Sequence, residues 1–542
     1  MGWSLVAVAS VLTFAGLGFS GRPPAVDLPQ HALFLQRMLD GGNEIYETRW
    51  VAPYVLLFLI AMPVAALTDP AQGIWTAAAF AIALLPVGSA AVASSLRRSP
   101  ALGLFAYLAA FSTVTAWGFA SLILGAGVFG LAAAAAVRYS RKPGAVRGLV
   151  LAGAIVLSYA AHGVACVITV IACWLVVLVW PARFRVSQLW PPLLGTGISL
   201  VLASVWLVGM VEPSARSYLA TASDQEHSAL TRLLYLPLSV AQYGRAGALF
   251  WLWAVLAVLF VLAVAITARD FRRVVVRARR LRARCSALSI AERTRRSLKR
   301  HGILLAWIAS VVAYFVIPLW VGTTLLVYPR AMVYGAILAP LALLGRRSRW
   351  IHRLGIVAIV PVLAMIHSAT RETRAFAEHT KCIDVLTQQV RPHERLLSLH
   401  FGTASPSYTA RVDLHLAAEI AARRHGMIGK DFTDYGWGPV TYRAGYDRMI
   451  VPANVHRDAR SYDHARHGRE FTAWLLVGAP GQVQDLVRST FGTDDALRTT
   501  VCDGYTLVLD TSVVPRDVPG EIFLPHFHAE GSCSRAGHAA AL

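Results

Sequence analysis

The sequence predicts a mainly α fold: a polytopic transmembrane helical bundle of about 11 spans, followed by a C-terminal extracytoplasmic α/β domain. Three observations predict it. Apolar residues make up 56% of the 542-residue chain and charged residues only 15%, against about a quarter charged in globular proteins. The mean hydropathy is +0.53, and the apolar residues come in runs near the ~20 residues that cross hydrocarbon as a helix. The runs end at residue 369, and 370–542 is mixed and polar.

The apolar segments are 2–19, 51–67, 73–95, 101–117, 119–137, 148–161, 163–180, 191–210, 247–267, 303–320, 331–345 and 354–369. Trp50, Trp180, Trp190, Trp320 and Trp350 mark their ends, as an interfacial belt does. Segment 2–19 has no basic flank and no small-residue cleavage site, so it reads as an uncleaved first helix.

The net charge of +21 does not point to nucleic acid, because of where it lies. Thirteen Lys and Arg fall between Arg269 and Arg300, and others cluster at Arg97–Arg98, Arg138–Arg147, Arg183–Arg185 and Arg346–Arg353. Each cluster abuts an apolar run, which is the positive-inside pattern, with membrane lipids as natural contacts. Placing these clusters in the cytoplasm puts the N-terminus inside and loops 20–50 and 211–246, with everything after 370, outside. Loop 268–302 becomes a cytoplasmic basic loop. The count closes only if one of the early segments does not cross, and 51–67 is the preferred re-entrant or interfacial one. Within 211–246, LTRLLYLPLSVAQYG reads as a helix lying at the interface.

In the soluble part, 395–401, 472–478 and 505–510 have strand length, while 412–424 and 481–491 have helical spacing. Strands separated by helices favour a small layered α/β domain, with a loose tail from about 515. Cys166 and Cys173 read as packing residues. Cys382 and Cys502 flank the domain and can pair in an oxidising compartment.

Four groups stand out chemically. Asp27, in PPAVDLPQHALFLQRML, precedes a helix start near Pro29. It is either a helix cap with His31 as its i,i+4 partner, or a general base at the membrane surface that His31 tunes. His162 sits between two apolar runs, as a turn residue or as a cavity-lining group. Arg330, in TTLLVYPRAMVYG, is the only charge between Trp320 and Gly345. An arginine there either snorkels or binds a phosphate, with Tyr328 beside it. His415, His425, Asp431, Asp434 and Tyr435 lie close in sequence but match no metal-ligand spacing, and read as surface polar residues.

This layout resembles the GT-C superfamily of membrane glycosyltransferases, which use polyprenyl-phosphate sugars. PAVDLPQH looks like the acidic first loop. WGFASLILGAGVFGLAAAAAVRY and LSYAAHGVACVITV look like recurrent pieces of bacterial members, and VYPRAMVYGAILAPLALL resembles the hairpin with a lipid-phosphate arginine. LLSLHFG, DLHLAAEIAARRHGM, DFTDYGWGPVTYR and TAWLLVGAP resemble the outer domain.

The resemblance implies an enzyme of the bacterial inner (plasma) membrane that moves a sugar to an unknown glycan, lipid or protein acceptor of the cell envelope, with inversion. Asp27 would be the base and Arg330 the donor-phosphate ligand, with His162 lining the cavity. No cofactor or metal is implied. The better-known members often carry two adjacent acidic residues in this loop, whereas here Val26 and Leu28 flank Asp27. Either Asp40 or Glu44 then supplies the second carboxylate, or none is needed. Two other classes compete: a non-catalytic scaffold or inactive relative, and a transporter of lipid-linked saccharide. A transporter places ionisable groups at the midplane, often in matching halves, and neither feature is evident.

Overall fold

The computed structural model describes residues 1–181, 185–209, 249–262, 306–316, 327–343, 349–401, 412–429, 431–435, 438–443, 458–491 and 496–512, with a few further residues between 232 and 325. The basic loop 268–302, the tail beyond 512, and loop 211–246 except Arg232 lie outside the described residues.

Every apolar segment of the sequence carries helix. Among the described residues four helices are long and apolar enough to cross a membrane, and eight shorter apolar ones accompany them. The centre is formed by α4 (Pro70–Ser95) and α7 (Ala120–Arg141), whose apolar windows are 83% and 89% buried inside the protein. Both are rich in Ala and Gly, for a physical reason. Within a membrane, helices associate by backbone approach and close packing. A Cβ built on Gly88 of α4 would lie 2.4 Å from the Gly127 carbonyl oxygen of α7, so nothing larger than glycine fits. Around this centre run α8 (Ala145–Ala161), α9 (Gly163–Val179) and α10 (Trp190–Gly209). They expose Leu149, Val167, Ile171, Leu193, Val201 and Val205, which is the surface a lipid-facing perimeter requires.

The segment 101–117 is not a regular helix. It is a 3-10 turn, Pro100–Ala106, followed by the short helices α5 (Tyr107–Ala110) and α6 (Thr113–Ala116). Irregular backbone at membrane depth survives only inside protein, and residues 101–116 are all buried. Side chains take up freed carbonyls: Thr115 Oγ1 donates to Ala110 O at 2.8 Å, and Trp253 Nε1 donates to Leu108 O at 3.0 Å.

The bundle has two chemically distinct ends. At one, Arg98 donates to the Leu341 carbonyl, Arg141 to the Ser95 carbonyl, and Ser99 Oγ meets His352 Nδ1. Three basic clusters expected to share a side of the membrane thus gather together. The C-terminal domain sits at the other end. There α3 (Val55–Ala65) is only 11 residues long, about 16 Å against a hydrocarbon core of about 30 Å. Before it, Tyr54 N–H bonds Ala160 O at 3.1 Å. Just beyond it, Gln72 bonds Gly18 O at 2.6 Å and Asp69 faces Arg423 of the domain at 3.7 Å. Both ends of α3 lie at the domain end, so the segment runs across the bundle rather than through it.

Helix Ile359–His379 carries the chain through residue 370, the expected domain boundary, without a break. A short antiparallel pair, β2 (Trp320–Val321) and β3 (Thr324–Leu325), precedes the domain, whose sheet has the order β5-β4-β7-β9-β8: β4 (Arg395–His400), β5 (Met427–Ile428), β7 (Ala473–Val477), β8 (Leu497–Cys502) and β9 (Tyr505–Asp510). β4 is parallel to β5 and β7, and β9 is antiparallel to β7 and β8. A parallel neighbour needs a crossover, and helix Leu416–Arg423 supplies it between β4 and β5. The three strands and two helices read from the sequence are present.

Cys382 and Cys502 form a disulfide across 120 residues, tying helix Lys381–Gln389 to β8. Closing so long a loop contributes about 2–4 kcal/mol. The Cys382→Ser, Cys502→Ser double variant is expected to melt at lower temperature in detergent, and non-reducing mass mapping of the wild type to join the two peptides. An unchanged melting point would remove that stability contribution.

Candidate active site

The site is built where the first loop meets the bundle. After α1 (Gly2–Gly18), residues 22–38 are all buried, and α2 (Leu28–Leu39) lies between the bundle and the domain. Asp27 occupies the N-cap position but makes no capping bond through its side chain. An N-cap carboxylate bonds the N–H of the second or third helical residue, and Pro29 at the second has none. The Asp27 backbone is clamped instead. Its N–H bonds Trp117 O at 3.1 Å, and Val26 N–H bonds Ala116 O at 3.0 Å. Gly118 turns back at φ +83, and a Cβ there would stand 2.9 Å from Asp27 N. Only glycine allows both the turn and the approach.

Buried ion pairs hold the domain on this loop. The Arg22 guanidinium grips Glu419 at 2.8 and 2.6 Å and Asp384 at 2.9 Å. Arg37 meets Asp431 at 2.5 Å, Thr433 at 2.7 Å and the Tyr46 hydroxyl at 2.8 Å. β1 (Tyr46–Thr48) then pairs antiparallel with β6 (Val440–Tyr442). Loop 20–50 is therefore an integral layer of the molecule.

Around Asp27, a residue 7% exposed, groups arrive from both bodies. From the domain, His415 Nε2 lies 3.7 Å from Asp27 Oδ1. From the bundle, Arg330 is in electrostatic reach of Asp27, Tyr54 and Tyr334. Its guanidinium stacks over Phe119, 4.4 Å from the ring centroid. His162 is extended between α8 and α9, caps α9 by accepting from Val164 N–H at 3.2 Å, and stands edge-on to Tyr54 at 4.9 Å. Tyr334 is buried, and its hydroxyl has no hydrogen-bond partner among the described residues. A small apolar pocket lined by Leu17, Pro23, Leu28, Trp75, Ile82 and Gly118 adjoins Asp27.

The structure thus brings together Asp27, Arg330 and His162, with His31 one helical turn on, and separates others expected beside them. Arg330 lies in the first turn of helix Val327–Leu343. The Tyr328 side chain lies outside the described residues. His31 does not pair with Asp27: its ring sits between Phe58 and Phe432 at 5.9 and 6.0 Å. Burial pushes its pKa down to about 4, so it is neutral near pH 7.

Asp40 caps the opposite end of α2, accepting from Gln36 at 2.7 Å and facing His425 at 3.2 Å. The thirteen residue steps from Asp27 to Asp40 span about 20 Å along the helix, which removes Asp40 from the Asp27 cavity. Glu44 is exposed. Neither supplies a second carboxylate beside Asp27. His415 and Asp431 correct the sequence reading in the other sense: both are buried against α2 rather than on the surface. Sequence alone does not single out Tyr54 or Gln30. Their only advance signal is position, Tyr54 opening an apolar run and Gln30 lying three residues after Asp27. Among the described residues no three His, Cys, Asp or Glu side chains gather as a metal site would.

Solved structures share this architecture. The chain is similar to ArnT from Cupriavidus metallidurans, in its apo state and bound to undecaprenyl phosphate. The TM-score is 0.52 and the identity 15%, over 94% of this chain and 98% of that one. The fold is therefore ArnT-like, in line with the layout that the resemblance implied. No family model matches the sequence, and no curated protein matches it.

Burial pushes the Glu419 carboxyl up, but Arg22 and Arg423 overcome this and hold it below the usual carboxylate range. A depressed carboxylate stabilises the fold above its unfolded value, about 4.3, and that stability is lost as pH falls further. The wild type is therefore expected to lose melting temperature below about pH 4. Glu419→Gln is expected to melt lower already at pH 7, by about 3–5 kcal/mol of lost stability, and to show a flatter acid limb. Identical melting of the two proteins at both pH values would show that this pair does not hold the domain.

Proposed function

We propose that this chain is a membrane glycosyltransferase that moves a sugar from a polyprenyl-phosphate donor to a hydroxyl of a cell-envelope acceptor. The reaction takes place at the domain end of the bundle, read as the outer face, with Asp27 as base. The observation that carries the reading is that Asp27 and Arg330 come within electrostatic reach of each other, although the sequence separates them by nine apolar segments. They form a proton acceptor and a phosphate ligand at one site on a GT-C fold.

The chemistry follows from the two charges. Asp27 takes the proton of the acceptor hydroxyl as its oxygen attacks the anomeric carbon. The bond from that carbon to the phosphate oxygen breaks, and its electron pair leaves with the polyprenyl phosphate. Attack opposite the leaving group inverts the centre. Negative charge grows on the phosphate, and a guanidinium placed there stabilises the transition state more than the ground state. Stacking on Phe119 holds the plane of Arg330, and the N–H edge of a guanidinium suits a bidentate phosphate. Tyr54 and His162 wall the same space. Asp27 also lies at the N-terminus of α2, where the helix dipole favours a carboxylate.

The test is transfer of radiolabelled sugar from a panel of undecaprenyl-phosphate sugars, in membranes holding wild type, Asp27→Asn or Arg330→Lys. Asp27→Asn is expected to lower transfer by about 10²- to 10⁴-fold, and Arg330→Lys by about 10- to 100-fold, with the Cys382–Cys502 bond retained as the sign of a folded chain. Wild-type transfer by Asp27→Asn would take the base role from Asp27. No transfer by the wild type from any donor would favour the scaffold reading.

A further inference from the structure

We propose that His415 positions the Asp27 carboxylate, so that the C-terminal domain completes the catalytic site instead of only covering it. The kinetic consequence rests on the glycosyl-transfer reading, whereas the pairing itself rests on geometry alone.

His415 stands at the N-cap of helix Leu416–Arg423 yet makes no side-chain cap bond, so the helix does not account for its ring. The ring is 7% exposed and lies edge-on to Phe432 at 5.6 Å. Gln30, one turn into α2, determines its tautomer. Phe432 N–H donates to Gln30 Oε1 at 3.2 Å, which fixes the two ends of the amide. Gln30 Nε2 then donates to His415 Nδ1 at 3.3 Å. With Nδ1 the acceptor, the proton of the neutral ring resides on Nε2, and Nε2 is the atom that faces Asp27 Oδ1 at 3.7 Å.

That separation is too long for a direct hydrogen bond. It suits a single bridging water, or a contact that tightens when substrate excludes solvent. Either way His415 engages Asp27 through Oδ1 and fixes the orientation in which the carboxylate receives the acceptor's proton. His415 moves no proton itself.

Other groups near Asp27 do not perform this task. His31 is on the same helix, but its ring turns between Phe58 and Phe432. Arg330 approaches from helix Val327–Leu343 and stacks on Phe119. Domain attachment does not need His415 either, because Arg22 and Arg37 supply it through Glu419 and Asp431.

Two measurements on the full chain test the proposal. In protein labelled with nitrogen-15 histidine and held in lipid nanodiscs, His415 is assigned by the signal missing from His415→Gln. It is expected to be the Nε2–H tautomer, with an Nε2 resonance that moves in Asp27→Asn. An Nδ1–H tautomer, or an Nε2 signal indifferent to Asp27→Asn, would overturn the pairing whether or not the chain transfers sugar.

In the transfer assay, His415→Leu is expected to lower kcat by about 10- to 100-fold, with the donor KM within about twofold of wild type. His415→Gln, which offers an amide N–H near the Nε2 position, is expected to recover kcat to within about fivefold. Unchanged kcat in His415→Leu, or no recovery in His415→Gln, would reduce His415 to packing. A wild type that transfers nothing would defeat the transfer reading, and the tautomer measurement would still decide the pairing.

Discussion

Arg22 is 3% exposed and Glu419 is fully buried. A guanidinium taken out of water costs several kcal/mol unless its partner and geometry compensate, and here they do, through paired hydrogen bonds. The arginine belongs to the first loop and the carboxylate to the C-terminal domain, 397 residues later. Arg37 and Asp431 repeat the arrangement farther along α2. In each pair, removing one body strands a buried charge on the other. Loop and domain are stable in this form only together, so the loop's conformation and the domain's position are one cooperative choice.

The catalytic candidate inherits its place from that choice. α2 is held by its domain-facing pairs, while its first residue is pinned from below by the Trp117–Gly118 turn. Asp27 sits where the two restraints meet, and it has little freedom to move toward either body. Pro29 reinforces this by removing one N–H that would otherwise bind the carboxylate. A residue that looks like a cap in sequence is thus kept from capping. The same proline that starts the helix leaves the side chain for other partners, and those partners come from elements remote in sequence.

Distance along the chain explains what could and could not be read beforehand. The apolar segments, the strands β4, β7 and β9 and the break at His162 are local problems, solved by run length and period. Asp27 was legible because a carboxylate beside a membrane helix is unusual, and Arg330 because a lone charge in an apolar stretch is. Their partners were not. His415 is 388 residues from Asp27 and announces nothing by spacing. Asp40 and Glu44 attracted attention only because they are near Asp27 in sequence, and an intervening helix turned that nearness into about 20 Å of separation. His31 obeys the i,i+4 rule in register, but the aromatic rings of Phe58 and Phe432 supply a better home for its ring.

The distribution of acidic groups bears on what kind of chemistry this architecture can support. From Val51 to Val211 the sequence contains a single carboxylate, Asp69, and it caps α4 at the domain end by accepting from Ala71 and Gln72 N–H. A machine that carries a charged head group through the bilayer needs ionisable groups at mid-depth, and this stretch of the bundle has no acidic one to offer. Its polar resources are concentrated at the seam with the domain: Asp27, Arg330, His162, Tyr54 and His415. A lipid-borne phosphate sugar presents its reactive carbon at that level while its tail stays in hydrocarbon. A substrate of that kind need not cross anything to reach the Asp27 carboxylate, and Asp27 need not be buried in lipid to be shielded from water. Docking of the domain does that, by closing over α2.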